Sequence, residues 1–277
     1  MPRVINAGIT RAGLRHALAI LKSFLQRFRS TPRPVPDVLW SKALRTSPYA
    51  RALPKNDQQK LRQLTAQFLR AKSFEGAADL VVTETMRVRI ALRVCLPVLN
   101  LGLDYYSGWT SIVIYPGDFR VRDEFADENG VVHEETKDLC GESLSQGPVV
   151  LSWEAIREED GHPSEHDLVI HECAHKLDIL NGDANGFPPL HADMNTSQWT
   201  QDFHLAYDQL CAQLSAGKVS RLDPYAAEDP AEFFAVTSET FFAAPWIVYE
   251  DFPIVYKQLR RFYRQDPYAL WPRGDSQ

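Results

Sequence analysis

The chain has 277 residues and a formal charge of −6, and 44% of its residues are apolar and 24% charged. That length and composition fit one substantial globular domain with appendages. The four cysteines lie far apart and no apolar stretch is long enough to span a membrane, which argues against a disulfide framework, a cysteine zinc knuckle and a transmembrane helix. We therefore expect a soluble, cytoplasmic protein.

The first 36 residues differ in character from the rest. They hold seven basic residues and no acidic one, together with apolar residues of which many recur at helical spacing. The stretch from Thr31 to Pro36 has three prolines in six residues, which predicts an extended linker. We therefore divide the chain into a basic amphipathic arm with a proline-rich linker, residues 1–36, and a compact domain, residues 37–277.

The role of this arm stays open. It could make weak contact with an acidic membrane surface or a partner, or it could be a helix packed on its own domain or a frayed terminus. It does not resemble a secretory signal, because charged residues interrupt its apolar run. Since the whole chain carries −6 and the arm carries +7, the remainder carries −13, and direct nucleic-acid binding by the domain is not expected.

Helical patterns precede and follow a β-rich middle. A helix capped by Asn56 or Asp57 and a buried helix over Met86–Leu99 come first. Runs rich in β-branched residues follow at Thr110–Tyr115 and Pro148–Trp153, and helical periodicity then continues to about residue 268. Because the strands are grouped rather than alternating with helices, we predict an α+β fold with a small mixed sheet and flanking helices.

The stretch from Ser164 to Gly182 carries the main functional pattern. Ser164 can cap a helix and Gly182 can end it. His171 and His175 are four residues apart, so both project from one face of that helix and can bind one zinc ion. Glu172 would lie beside the metal rather than on it, where it can accept a proton from a zinc-bound water.

A purely structural interpretation of these residues is the alternative. In it, the two histidines are core residues with hydrogen-bond partners, and the glutamate lies on the surface. The apolar run from Leu168 to Ile170 indicates a buried helix, in which paired histidines need a partner such as a metal ion. Cys173 points to another side of the helix and is expected to be a small core residue rather than a ligand.

A catalytic zinc site needs a third protein ligand and an open position for water. The best candidates lie between Tyr225 and Glu239. Glu232 and Glu239 are seven residues apart, two turns along roughly the same helix face, so either could bind the metal while the other holds a ligand in place. Glu232 also fits a capping role behind Asp229 and Pro230. Spacing alone does not choose between these alternatives.

Several segments of the chain resemble the Mlc titration factor A family of zinc peptidases. The matching motifs are His171-Glu-Cys-Ala-His-Lys-Leu-Asp178, Asn181-Gly-Asp183, Tyr225-Ala-Ala227, Asp229-Pro-Ala-Glu-Phe-Phe-Ala-Val236, Ser238-Glu239, Arg89–Leu99 and Gln146–Trp153. The resemblance covers roughly residues 40 to 270 and implies a zincin-like metallopeptidase domain, related in its catalytic core to anthrax lethal factor. It implies His171, His175 and Glu232 as ligands of one Zn²⁺ per chain, Glu172 as the base and Tyr225 as an assisting residue.

The chemistry of such a site gives further expectations. Glu172 would pass a proton from water to the leaving amine, and the Tyr225 hydroxyl would donate to the oxyanion; a tyrosine packed at a turn is the alternative. Asp178 could orient a ligand histidine or be a solvated acid at the helix end. The strand at Val149–Trp153 could pair with an extended peptide by edge addition.

Other histidines form weaker patterns. The stretch His162–His166 fits an inverted zinc-binding motif on paper, but Gly161 and Pro163 favour a turn there, so the two imidazoles need not share a face. His191 and His204 have no partner at ligand spacing and are expected to be surface or structural residues.

A zinc-dependent peptidase acting on peptides or proteins is the function that these residues favour, and the family adds an aminopeptidase-like action on small substrates. The alternative is a regulatory protein that binds and sequesters a transcriptional repressor such as Mlc, as the family name implies. An intact Glu172 favours catalysis, because pure binding would not require a base.

Overall fold

The computed structural model describes residues 33–271 apart from residue 118, residues 127–131, residue 140, residues 144–146 and residues 160–164, and between residues 118 and 146 it describes the backbone alone. The arm up to residue 32, with its expected membrane or partner contact, lies outside the described residues. The end of the predicted linker is attached to the domain, because Val35 is buried and its carbonyl accepts a hydrogen bond from Arg62 Nε at 3.1 Å. Among the described helices, none combines the length and apolarity that crossing a membrane requires.

Eleven α-helices are found in the described part of the chain. They are α1 (Asp37–Arg45), α2 (Pro48–Ala52), α3 (Lys55–Ala71), α4 (Glu84–Cys95), α5 (Trp153–Glu158), α6 (Leu168–Asp178), α7 (Thr196–Ser215), α8 (Pro230–Ala243), α9 (Pro245–Asp251), α10 (Pro253–Tyr263) and α11 (Pro267–Leu270). Short 3₁₀ turns cover Leu103–Tyr106, Ile179–Asn181 and Pro224–Ala227. The predicted arrangement of helices on both sides of a β-rich middle is confirmed.

A mixed four-stranded sheet lies between these helices, as predicted. In spatial order it consists of β1 (Ser73–Gly76), β2 (Ser111–Tyr115), β6 (Val149–Ser152) and β5 (Gly141–Ser143). The first three strands run parallel, and β5 runs antiparallel to β6. A separate antiparallel pair is formed by β3 (Phe119–Ala126) and β4 (Val132–Leu139). The fold class is therefore α+β.

The expectation that the strand at Val149–Trp153 offers a sheet edge to a peptide is wrong. Val150 pairs with Val113 of β2 on one side and with Glu142 of β5 on the other, so β6 is an interior strand. Its four residues are all buried, as the continuous apolar run of a strand covered on both faces predicts. In the described sheet the outer strands are β1 and β5.

The core fixes α8 firmly against its neighbours. This helix is buried along nearly its whole length, and it packs against α6. On its other side an aromatic cluster joins Phe233 and Phe234 to Trp199, Phe203 and Phe262, with the Trp199 and Phe203 rings stacked at 4.3 Å between centroids. Burial of each aromatic side chain stabilises the fold by about 1.5 to 3 kcal/mol. This packing anchors α8, and with it the acidic residues that α8 carries, against α6.

Candidate metal centre

Helix α6 starts at a different residue from the one predicted, and the chain leaves it at the predicted glycine. Asp167 is its N-cap and accepts a hydrogen bond from the Ile170 amide at 3.1 Å, so the assignment of Ser164 as the cap is wrong. Ser164 itself lies outside the described residues. After Asp178 the chain makes one 3₁₀ turn and leaves the helix at Gly182, whose φ of 141° suits glycine. The predicted helix end is therefore confirmed.

The apolar face of α6 is fully buried, and Cys173 lies on it with no exposed surface. Burial raises the pKa of the Cys173 thiol, so the expectation that it is a core residue rather than a ligand agrees with the structure. The two histidines lie on a different face, where their side chains keep 12% and 13% of their surface exposed. They are thus held by a rigid helix yet can be reached from solvent.

Three donor atoms converge above this face. The Nε2 atoms of His171 and His175 are 3.1 Å apart, and Glu232 Oε2 lies 3.2 Å from the first and 3.4 Å from the second. These three residues form the one cluster in the described chain with the character of a metal site. Glu232 projects from the first turn of α8, whose start is fixed by the Asp229 cap and by Pro230.

The donor set fits a tetrahedral metal ion. Donor atoms bound tetrahedrally at about 2.0 to 2.1 Å are separated by roughly 3.3 to 3.4 Å, close to the three distances found here. Glu232 Oε2 is buried, and despite two imidazoles nearby it accepts no well-aligned hydrogen bond from the described residues. Two imidazole nitrogens and one carboxylate oxygen are the ligands typical of catalytic zinc.

Glu239 lies behind His171 rather than beside the other donors. Its Oε2 is 3.0 Å from His171 Nδ1, and its side chain is almost entirely buried. An Nδ1–H that donates to this carboxylate leaves Nε2 as a lone pair directed at the other donors. The structure therefore distinguishes the two acids that spacing left equivalent.

The electrostatics of the cluster favour a positive charge. Burial lowers the pKa of His171, but the adjacent carboxylates of Glu232 and Glu239 more than offset this and hold it well above its ordinary value. Burial raises the pKa of Glu232, yet the two histidines bring it below its ordinary value. The carboxylates around the imidazoles thus stabilise a cation at this point, as a bound metal ion would be stabilised.

Glu172 has the burial expected of a base beside a metal. Its side chain is 3% exposed, and within the described residues its Oε2 has no hydrogen-bond partner. Burial raises the pKa of Glu172, while the neighbouring His171 and His175 act in the opposite direction. A buried carboxylate with one oxygen unpaired among the described residues is suited to take up a proton during a reaction.

Tyr225 lies at the mouth of the site, in the 3₁₀ turn before α8. Its ring centroid is 6.3 Å from that of His171, and 48% of the residue is exposed. Burial of the hydroxyl and the nearby Glu232 carboxylate raise the pKa of Tyr225, so it remains a hydrogen-bond donor at neutral pH. Because Tyr225 does lie in the turn before the Asp229 cap, the assisting role of its hydroxyl stays a prediction.

Asp178 is not a solvated acid at the helix end, as one alternative held. It is fully buried, and its Oδ2 accepts hydrogen bonds from the Asn185 and Gly186 amides at 2.8 and 2.7 Å. Burial raises the pKa of Asp178, which these backbone donors oppose. It therefore ties the loop after α6 to the helix that carries both histidines.

The remaining histidines separate into three cases. His191 is structural, since its Nε2 lies 2.8 Å from the Phe262 carbonyl oxygen, and His204 is exposed on α7, so both agree with the prediction. His162 lies outside the described residues. His166, which the sequence patterns discounted, has its Nδ1 3.1 Å from Glu239 Oε1 and was missed because no local spacing joins it to α8.

Comparisons with known proteins extend over most of the chain. The family described as glucose-regulated metallo-peptidase M90 matches residues 22–264, so the match includes part of the arm and linker. The Mlc titration factor A of Serratia proteamaculans (strain 568) is 40% identical over 237 residues, 84% of this chain and 89% of that relative. The protein of the same name from Yersinia pestis (strain Pestoides F) is 40% identical over 240 residues, 86% of this chain and 88% of the relative.

Proposed function

Because this chain belongs to the glucose-regulated metallo-peptidase M90 family, we propose that it is a peptidase that depends on one zinc ion held by His171, His175 and Glu232. The observation that carries the proposal is the convergence of two imidazole nitrogens and one carboxylate oxygen at tetrahedral spacing. We further propose that residues 37–277 form the peptidase domain and that the preceding segment is an appendage to it.

Each residue around the donors has a defined task in this proposal. When bound, zinc would lower the pKa of a water ligand to about 7 and polarise the scissile carbonyl. Glu172 accepts the proton of the attacking water and delivers it to the leaving amine. The Tyr225 hydroxyl donates a hydrogen bond to the carbonyl oxygen as negative charge develops there. Glu239 holds the ligand nitrogen of His171 toward the metal.

Removal and restoration of the metal test this proposal. Protein stripped by a chelator should lose peptide hydrolysis and recover it with about one equivalent of Zn²⁺ per chain. Mg²⁺ is the matched control, because it prefers six oxygen ligands and should not restore activity. If the stripped protein hydrolyses peptides at the original rate, the reaction does not need the metal and the proposal is wrong.

An aminopeptidase-like preference is the finer form of the proposal. An amino-acid p-nitroanilide with a free α-amino group should be hydrolysed faster than its N-acetylated counterpart, because the carboxylates of the site favour a nearby cation. Equal or faster hydrolysis of the acetylated compound would point to endopeptidase action instead.

A second candidate function is the binding of a transcriptional repressor. It is favoured by the similarity to relatives named Mlc titration factor A. Catalysis and binding can be separated with Glu172→Gln, which removes the base but preserves shape and hydrogen-bonding capacity. If the role is sequestration, this variant should capture an Mlc-type repressor as strongly as the wild type while hydrolysing no peptide.

A further inference from the structure

His166 precedes α6 and lies five residues before His171, outside the zinc-binding motif. Its side chain is 53% exposed, yet its Nδ1 is 3.1 Å from Oε1 of the buried Glu239. The other oxygen of that carboxylate, Oε2, is 3.0 Å from Nδ1 of His171. Glu239 therefore bridges two imidazoles, with one oxygen directed at each.

The same histidine also lies close to the turn that carries Tyr225. Its Nδ1 is 3.8 Å from Oδ2 of Asp223. Asp223 caps that turn, because its Oδ1 accepts a hydrogen bond from the Tyr225 amide at 2.9 Å. One side chain thus lies between the carboxylate behind a metal ligand and the carboxylate that holds the tyrosine.

The effect of this contact follows from the burial of Glu239, which is 4% exposed. A buried carboxylate needs a hydrogen-bond donor on each oxygen, and a donor at Oε1 stops the group from rotating about its last torsion. Without that donor, Oε2 would no longer be held at the Nδ1 of His171. A loosely held ligand imidazole binds metal more weakly than one oriented in advance.

We infer that His166 is a positioning residue of the metal centre, acting on His171 through Glu239 and on Tyr225 through Asp223. This inference rests on the proposed zinc peptidase function and adds a residue outside the recognised motifs. His166 is a positioning residue and not a catalytic one, since it touches neither the metal donors nor the reacting atoms.

The first test compares His166→Ala with His166→Asn. The amide nitrogen of asparagine can take the place of the imidazole Nδ1, so this variant should keep the hydrogen bond to Glu239, whereas alanine removes it. His204→Ala is the matched control, because it removes an exposed histidine on α7, far along the chain from α6. Zinc affinity is measured by chelator competition, together with kcat, KM and thermal unfolding.

We expect His166→Ala to weaken zinc binding about tenfold and to lower kcat with KM nearly unchanged, while the unfolding temperature falls modestly because Oε1 of Glu239 loses its donor. His166→Asn should recover most of both losses, and His204→Ala should match the wild type. A merely structural role would change the unfolding temperature rather than zinc affinity. Wild-type zinc affinity and kcat in His166→Ala would overturn the inference.

A double-mutant cycle tests the route through Glu239. If His166 acts on zinc through that carboxylate, His166→Ala should cause no further loss of affinity in a Glu239→Ala background. Additive losses would overturn the route, and Glu239→Leu, which also removes both carboxylate oxygens, serves as a second background if the alanine variant does not fold. Failure of the proposed function and failure of this inference give different results. A wild type that binds no zinc contradicts the proposed function, whereas zinc binding that does not depend on His166 contradicts only this inference.

Discussion

Replacing Glu159 by glutamine should remove a pH dependence of stability that originates in a buried charge cluster beside α6. Arg93 is 2% exposed and is shared by two acids, Glu159 and Asp167. Glu159 also accepts a hydrogen bond from the Leu168 amide at 2.8 Å, at the first residue of α6. One guanidinium thus faces two carboxylates, and the charge of Asp167 opposes the ionisation of Glu159.

The size of the effect follows from the pKa of Glu159. Burial and the neighbouring Asp167 raise that pKa from 4.5 to about 7, against the opposing effect of Arg93. Between these two values the folded protein binds the proton more tightly than the unfolded chain does, so the free energy of unfolding falls as pH rises through the window. At about 1.4 kcal/mol per pKa unit, the loss between pH 5 and pH 8 is roughly 2 to 3 kcal/mol.

Urea unfolding of the wild type and Glu159→Gln, at several pH values and one fixed zinc concentration, measures this loss. Glutamine keeps the acceptor for Leu168 but cannot ionise, so titrating groups outside this cluster cancel in the difference between the two proteins. The stability of the wild type relative to the variant should fall by roughly 2 to 3 kcal/mol from pH 5 to pH 8. Parallel pH profiles of the two proteins would show that ionisation of Glu159 does not destabilise the fold.

Three further substitutions have expected outcomes. Glu232→Gln removes the anionic donor and should weaken zinc binding by at least about 100-fold in chelator competition, with an unchanged circular dichroism spectrum; wild-type affinity would contradict its role as a ligand. Tyr225→Phe should retain zinc but lower kcat by about 100-fold, and an unaffected kcat would mean that the hydroxyl takes no part. Gly186→Ala places a Cβ 2.4 Å from the Pro230 carbonyl oxygen at a φ of 75°, and should destabilise the protein by about 2 kcal/mol or more in urea unfolding. Gly217→Ala, with a similar φ of 67° and no atom within 4 Å of the added Cβ, gives the conformational cost alone; equal losses would show that the clash is relieved.

The sequence predicted the helix that carries both histidines because its signal is local. The spacing of His171 and His175 follows from the helical period, and the apolar residues before them indicate burial. It could not choose between Glu232 and Glu239, since residues seven apart share a helix face and only the packing of α8 on α6 decides which one reaches the donors. His166 is a similar case, because its contact with Glu239 spans 73 residues of sequence.

The sheet illustrates the same limit. The apolar run of β6 was recognised as a strand, but its neighbours depend on pairings between distant segments. The strand β5, only three residues long, has no sequence signal of its own, and it covers the edge that β6 was expected to offer. The composition of a strand predicts its burial better than its position in the sheet.

Zinc content and peptide hydrolysis, measured together for the wild type and Glu172→Gln, test whether this chain is a zinc peptidase. Glu172 is buried beside the donors but is not among them, so the substitution should leave the metal site intact and remove the base. We predict about one zinc per chain in both proteins and peptide cleavage by the wild type alone. Loss of zinc from both proteins would contradict the ligand assignment, and zinc in both with equal cleavage would contradict the role of Glu172.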